Sequence, residues 1–308
     1  MCSSDLLHVA LLSNGIGRGN EVVTTSFTFV ATANSVLFTG AKPIFVDIDP
    51  DSFNIDPSLI EDKLTKRTKA IMPVHLYGQP ANLKEIKDIC DDKNLILIED
   101  AAQAHGAKFE GKKVGSFGDG SFSFYPTKNM TTSEGGMITT NNKSVYDKAR
   151  KIRNHGQEKR YYYETLGFNF RMTDICAAIG ICQLNKLDEF NKTRRKNAEF
   201  YSKKLSKLEY LKCPKTFPKT EHVFHQYTLR IKDGKRDEVI KGLEKAGIGY
   251  GIYYPKPLHK QPLYIDLGYK DKLTETEKAA EEVISIPVHP LLKKEDLEYI
   301  VSFFEGFR

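Results

Sequence analysis

The chain of 308 residues has five cysteines, Cys2, Cys90, Cys176, Cys182 and Cys213, and no two of them have CxxC spacing. An odd count without paired spacing argues against a disulfide framework and against a zinc site; no metal and a reducing, cytoplasmic compartment are expected. No run reaches the roughly 20 apolar residues that a membrane span needs. No basic stretch followed by an apolar one and a cleavage site opens the chain, so neither a membrane partner nor a signal peptide is expected. Internal repeats and low-complexity segments are absent too. No GxGxxG follows the first predicted strand, and "GIGRGNE" at 15–21 precedes a strand instead of opening a helix. That argues against a nicotinamide-dependent oxidoreductase. Charge of one sign is scarce: 46 basic against 40 acidic residues give a net +6. The densest basic runs, "KRTK" at 66–69 and "KTRRKNAEF" at 192–200, are scattered, and the second lies in a helical pattern. A solvated helix face is expected there, and no nucleic-acid partner. A mild positive balance helps attract an anionic substrate.

What is present is an ordinary soluble composition, 40% hydrophobic and 28% charged, in a chain long enough for one large domain or two moderate ones. The first half alternates short apolar runs with helical patterns. Strands are predicted near 21–23, 44–48, 69–74, 95–98, 121–124 and 136–140, and helices near 28–39, 57–64 and 82–92. "PIFVDID" and "NLILIED" are near-continuous apolar runs ending in acids, as strands buried on both faces do. The alternation predicts an α/β domain with a mainly parallel sheet. Ligands sit beyond the carboxyl ends of such strands, which is where Asp47, Glu99 and Asp100 fall. A long helix is predicted over about 173–208, capped by Thr173. Its first half, "ICAAIGICQL", is apolar nearly all round and is expected to be buried. A strand (226–231), a helix (236–246), a strand (249–254) and helices near 273–283 and 293–304 follow. We therefore expect a large unit over 1–190 and, over 191–308, a linking helix with a smaller α+β domain.

Several residues invite a chemical reading beside a plain one. Asp100 ends a strand and caps a helix well; alternatively its carboxylate faces a cationic ring nitrogen, the partner pyridoxal phosphate needs to act as an electron sink. Lys128, in "SFSFYPTKNM", is either a solvated loop lysine or an amine held for imine chemistry. Ser123 is either an ordinary strand serine or a phosphate ligand five residues before that lysine. Phe29, in "TTSFTFVATANSVL", is either core or a platform for a planar ring. Ser3 and Ser4, in "CSSDLLHVAL", stand at a predicted helix N-terminus, where free N–H groups favour an anion and where Ser4 or Asp5 can also simply cap.

Taken in order, "SFTFVATANSVLFTGAKPIFVDID", "PVHLYGQPA", "IEDAAQAHGA", "FSFYPTKNMTTSEGGM", "RNHGQ" and "GFNFRMTDICAAIGICQL" resemble the DegT/DnrJ-type nucleotide-sugar aminotransferases. The resemblance covers nearly the whole chain, including "YYPKPLHKQPLY" and "SIPVHPLLKKEDLEYIV". It implies the fold type I pyridoxal-phosphate architecture, pyridoxal 5'-phosphate as cofactor, and transfer of an amino group from glutamate to a nucleotide-linked keto-sugar. It also implies a homodimer with shared sites. By resemblance, Lys128 matches the lysine that holds the cofactor as an imine. Asp100 matches the carboxylate at the pyridine nitrogen, Gln103 the residue beside the ring, Phe29 the stacking aromatic and Ser123 the phosphate-binding serine. Asn169 matches an asparagine that reaches the neighbouring subunit's phosphate. Arg171, Tyr254 and His259 are candidates for substrate contact, each with a structural role as the alternative. A sugar dehydratase relative has histidine in place of the lysine, and Lys128 argues against it.

Two departures bear on this. The family pattern near the start is roughly S-G-T-D-A-L, where this chain reads "CSSDLLH", and the family has several dozen residues before that point. An absent leading segment is therefore expected, and a non-catalytic relative that binds a ligand or partner is the alternative function. Ser133 replaces a common glycine, which is mild if its φ is negative and costly if positive.

Overall fold

The computed structural model describes residues 3–307, with the side chain of Ser3 outside the description. A six-stranded sheet runs β2-β1-β3-β4-β5-β6. Its strands are β1 (Glu21–Thr25), β2 (Lys42–Val46), β3 (Thr68–Ile71), β4 (Ile96–Asp100), β5 (Asp119–Ser123) and β6 (Gly136–Thr139). β6 is antiparallel to β5, and the other pairings are parallel. This is the expected mixed, mainly parallel sheet.

Alternation along the strands feeds two cores. Val22, Ala70 and Ile98 pack with Leu7, Ala10 and Leu11 of α1 (Ser3–Ser13) and Val36 of α2 (Ala31–Phe38). Their chain neighbours Val23, Ile71 and Leu97 face the other way, onto Leu83, Ile86 and Cys90 of α3 (Leu83–Asp92). Successive side chains point to opposite faces, so a sheet covered on both sides needs apolar residues at consecutive positions.

After α4 (Lys143–Ile152), α5 (Asp174–Leu205) runs unbroken for 32 residues, with the Thr173 hydroxyl accepting the Cys176 N–H at 3.3 Å. Its C-terminal half carries Ala198, Tyr201 and Leu205 into a separate core. There β7 (Tyr227–Ile231) pairs antiparallel with β8 (Val283–Ile286) and with Leu211–Lys212. Helices α6 (Arg236–Lys245) and α8 (Lys294–Gly306) close that core; α7 (Thr274–Glu282) leads into β8.

Four expectations are corrected. The apolar first half of α5 is not buried within this chain: Ile175 is 76% exposed and Leu184 60%, and burial begins at Leu187. Residues 57–64 form two 3-10 turns, Pro57–Leu59 and Glu61–Lys63, because Asp56 and a proline start the first and a new turn restarts at Glu61. Residues 249–254 form no strand; only Gly251 bridges to Ser285, and 283–286 takes the sheet edge instead. Asp47 is taken up in the fold: its carboxylate accepts the Glu275 and Thr276 N–H groups and caps α7.

Among the described residues, no helix is long and apolar enough to cross a membrane. No group of three or more His, Cys, Asp or Glu there is arranged to hold a metal ion.

Candidate active site

The site forms where β4 and β5 end side by side, Asp100 opposite Ser121. Asp100 is buried, and burial raises its carboxyl pKa. Hydrogen bonds oppose that rise: Thr32 Oγ1 donates to Oδ2 at 2.8 Å, and the Ala102 N–H donates to Oδ1 at 3.2 Å. The charge of Lys128 favours the ionised form as well.

Lys128 follows β5 on a loop tied at its base. The Phe124 N–H donates to the Gly135 carbonyl at 2.9 Å, and the Thr132 N–H returns to the Phe124 carbonyl at 3.0 Å. Behind the lysine, buried Asn129 donates to Asn191 Oδ1 at 2.9 Å and to the Val223 carbonyl at 3.0 Å. The loop is thus anchored on α5 and on the segment entering β7. The residue as a whole is half-buried, but its amine is enclosed; burial lowers the amine's pKa, against the pull of Asp100. A lysine deprived of water ionises less readily.

Lys128 lines a cavity of about 470 Å³ together with Ser4, Phe29, Gln103, Tyr254 and His225. Phe29 is 52% exposed there, large for an aromatic at the start of a helix, and its ring lies 6.3 Å from that of Tyr254. Gln103 is fixed from two sides: its Oε1 accepts the Tyr77 N–H at 2.7 Å, and its Nε2 donates to Tyr254 Oη at 3.3 Å. Ser123 is fully buried at the end of β5, where its Oγ accepts the Tyr125 N–H at 3.4 Å.

The remaining candidates do not gather here. His259 is buried, with Nδ1 2.7 Å from Ser26 Oγ and Nε2 3.1 Å from Glu277 Oε1. Both ring nitrogens hold the 258–260 turn, the structural role that was the alternative to substrate contact. Arg171 is exposed, away from the cavity, and donates to Asn154 Oδ1 at 2.7 Å. Asn169 is exposed on a bridge to Asn154 and lines no part of this cavity. The Ser3 side chain lies outside the described residues. Glu99 is not at the cavity; it is fully buried in a pair with His75. Ser133 has φ +69°, so the costly alternative holds. Sequence reasoning missed His225. It stands just before β7 with no spacing signal, and only the fold brings it against Asn129, 96 residues earlier.

The sequence profile of the DegT/DnrJ/EryC1/StrS aminotransferase family matches residues 2–305. The chain belongs to this family. It is 48% identical to a "pleiotropic regulatory protein" of Geobacillus stearothermophilus, over 99% of this chain and 82% of that protein. It is 42% identical to GDP-perosamine synthase of Caulobacter vibrioides, over 96% of this chain and 81% of that one. Among solved structures, NtdA of Bacillus subtilis with bound cofactor PMP superposes with a TM-score of 0.92 at 31% identity, covering 99% of this chain and 71% of that one. The profile match lends no support to the expected absence of a leading segment.

DegT/DnrJ/EryC1/StrS aminotransferases depend on pyridoxal phosphate, and the residues here fit that group. The enclosed amine of Lys128 is available for a covalent link. Buried Asp100 keeps a carboxylate within electrostatic reach of that amine. Phe29 leaves an aromatic face open on the cavity.

Proposed function

We propose that the chain moves an amino group from glutamate to a nucleotide-linked keto-sugar, with the keto group at C3 or C4, in making surface polysaccharide or a related glycan. The observation that carries this reading is the enclosed amine of Lys128, its pKa lowered by burial, lining a cavity within electrostatic reach of the buried carboxylate of Asp100. When bound, pyridoxal phosphate supplies the electron sink that stabilises negative charge at the carbon losing a proton. In this reading Lys128 holds the cofactor, Asp100 keeps its ring nitrogen protonated, Phe29 lies against its face and Gln103 holds its edge. Ser3, Ser4 and Ser123 serve its phosphate. Tyr254 closes the wall on which the substrate rests. The freed Lys128 amine takes the proton from the donor's Cα and later returns one to the acceptor carbon. Burial that lowers its pKa raises the share of neutral amine able to do so.

The same reading makes the protein a cytoplasmic homodimer, with a large unit over 1–190 and a smaller one over 191–308. The apolar side chains of Ile175, Ile179, Ile181 and Leu184, exposed around the first half of α5, support a partner surface. Asn169, exposed and unused by its own cavity, is then available to the neighbouring subunit's phosphate. The four described cysteines are all free, as a reducing compartment requires.

Absorbance tests the reading. Protein loaded with pyridoxal phosphate is expected to show a visible band that shifts on adding glutamate, and Lys128→Ala should lack it. A loaded wild type without the band leaves a non-catalytic ligand-binding relative instead. A panel of nucleotide keto-sugars assayed with glutamate then identifies the acceptor.

A further inference from the structure

Beside the cofactor cavity lies a second, of about 310 Å³. Thr127, His225, Gln226 and Tyr253 line both, so the two share a wall, and Lys128 lines only the first. The second contains Arg194, which projects from the buried half of α5 and is only 8% exposed. A buried guanidinium normally pairs with a carboxylate, because removing a charge from water is costly unless it is compensated. Arg194 has no such partner among the described residues. Its Nη1 donates to the carbonyls of Phe224 and His225 at 3.2 and 3.5 Å, and its Nε has no hydrogen-bond partner. Burial without a counter-charge pulls its pKa down to about 10. His225, on the shared wall, is kept neutral by burial and by the neighbouring charges of Lys128 and Arg194. The second cavity therefore offers one under-used positive charge, with two carbonyls holding the guanidinium in place.

We infer that Arg194 is a carboxylate subsite, which receives the side-chain carboxylate of the amino donor while the donor's amine lies at Lys128. This rests on the glutamate-dependent reaction proposed above. The remote carboxylate is the one that fits, because the α-carboxylate is one bond from the reacting carbon and must stay in the cavity that Lys128 lines. A planar guanidinium suits a carboxylate through paired N–H donors. Arg194 is then what selects a dicarboxylic donor over a monocarboxylic one.

The test uses the pyridoxal-phosphate-loaded protein and glutarate, which has two carboxylates and no transferable nitrogen. By calorimetry, Arg194→Gln should bind glutarate about tenfold or more weakly, the loss of a charge-assisted hydrogen bond. In turnover it should raise KM for glutamate by a similar factor and leave the rate with alanine within about twofold, since alanine has no remote carboxylate. Gly249 lines the same cavity, and a Cβ there meets nothing within 4 Å. Gly249→Asp therefore adds a competing carboxylate on an open surface and should weaken glutarate in the same direction, even if Arg194→Gln does not fold. Unchanged glutarate affinity in the folded variants, or equal losses with glutamate and alanine, overturns the inference. If wild type takes nitrogen from no donor, the proposed reaction fails on its own, and the glutarate titration still decides the subsite.

Discussion

At position 133 the backbone enters the left-handed region, φ +69°, with a serine side chain attached. A non-glycine residue there costs about 1–2 kcal/mol. Glycine would relieve that strain but adds about 0.4–1 kcal/mol of unfolded-state freedom. Ser133→Gly should therefore stabilise the protein by up to about 1.5 kcal/mol. A urea midpoint that falls instead would refute the strain argument. Residue identity at this scale was legible only through motif order: Lys128, Asp100 and Ser123 each have a plain reading alone, and together in sequence they point to one site. His259 shows the limit. Its position in "YYPKPLHKQPLY" suggested contact with substrate, but Ser26, 233 residues away, takes one ring nitrogen.

At the scale of elements, the end of β4 is held by a buried cluster that joins two of the quoted motifs, His75 of "PVHLYGQPA" and Glu99 of "IEDAAQAHGA". Glu99 accepts N–H groups of Gly115, Phe117 and Gly118 at 2.7, 2.9 and 2.8 Å, and His75 Nε2 lies 3.1 Å from it. The Ala81 N–H donates to His75 Nδ1 at 3.0 Å, which assigns the ring proton to Nε2 and makes that nitrogen the donor. Burial would raise the Glu99 pKa, but these bonds outweigh it and hold the carboxyl below its usual value. The backbone N–H of His75 donates to the Asp100 carbonyl at 3.0 Å, so the cluster also sets the strand that presents Asp100. Glu99→Leu orphans the three N–H groups and should cost about 3 kcal/mol or more, read as a lower urea midpoint. A variant within about 0.5 kcal/mol of wild type would show that the cluster carries little of the fold. Helix α5 carries the complementary lesson. Its all-round apolar first half read as buried, because a helix without a polar face needs cover. Among the described residues the chain only partly covers it, and none of its side chains before Leu187 is fully buried.

For the whole molecule, the buried histidines set the acid limit. Burial pushes His105 and His222 down to about 3 from an ordinary value of 6.5, and His225 well below 6.5. Between about pH 3 and 6.5 the unfolded chain thus binds protons at these sites that the folded chain does not. Stability therefore rises with pH across that window and falls on acidification, by up to about 1.4 kcal/mol per pH unit per histidine. Urea unfolding at pH 7.5, 6 and 5 should show a steep loss, and His105→Gln should flatten it. An unchanged slope would mean that His105 is protonated within the fold.

The sequence by itself determined the strand–helix alternation, the two acid-ended strands, the α5 cap and the order of motifs that marks the family. These rest on local periodicity, capping and spacing, which neighbouring residues decide. Tertiary structure alone decided which acid faces the site. Of Asp47, Glu99 and Asp100, one caps α7, one is sealed against His75, and one stands within electrostatic reach of Lys128. It also decided the conformation at Ser133, the exposure of α5 and the neighbourhood of Arg194 and His225. Those depend on which distant segments pack together, and burial and charge pairing follow from that packing and not from residue type.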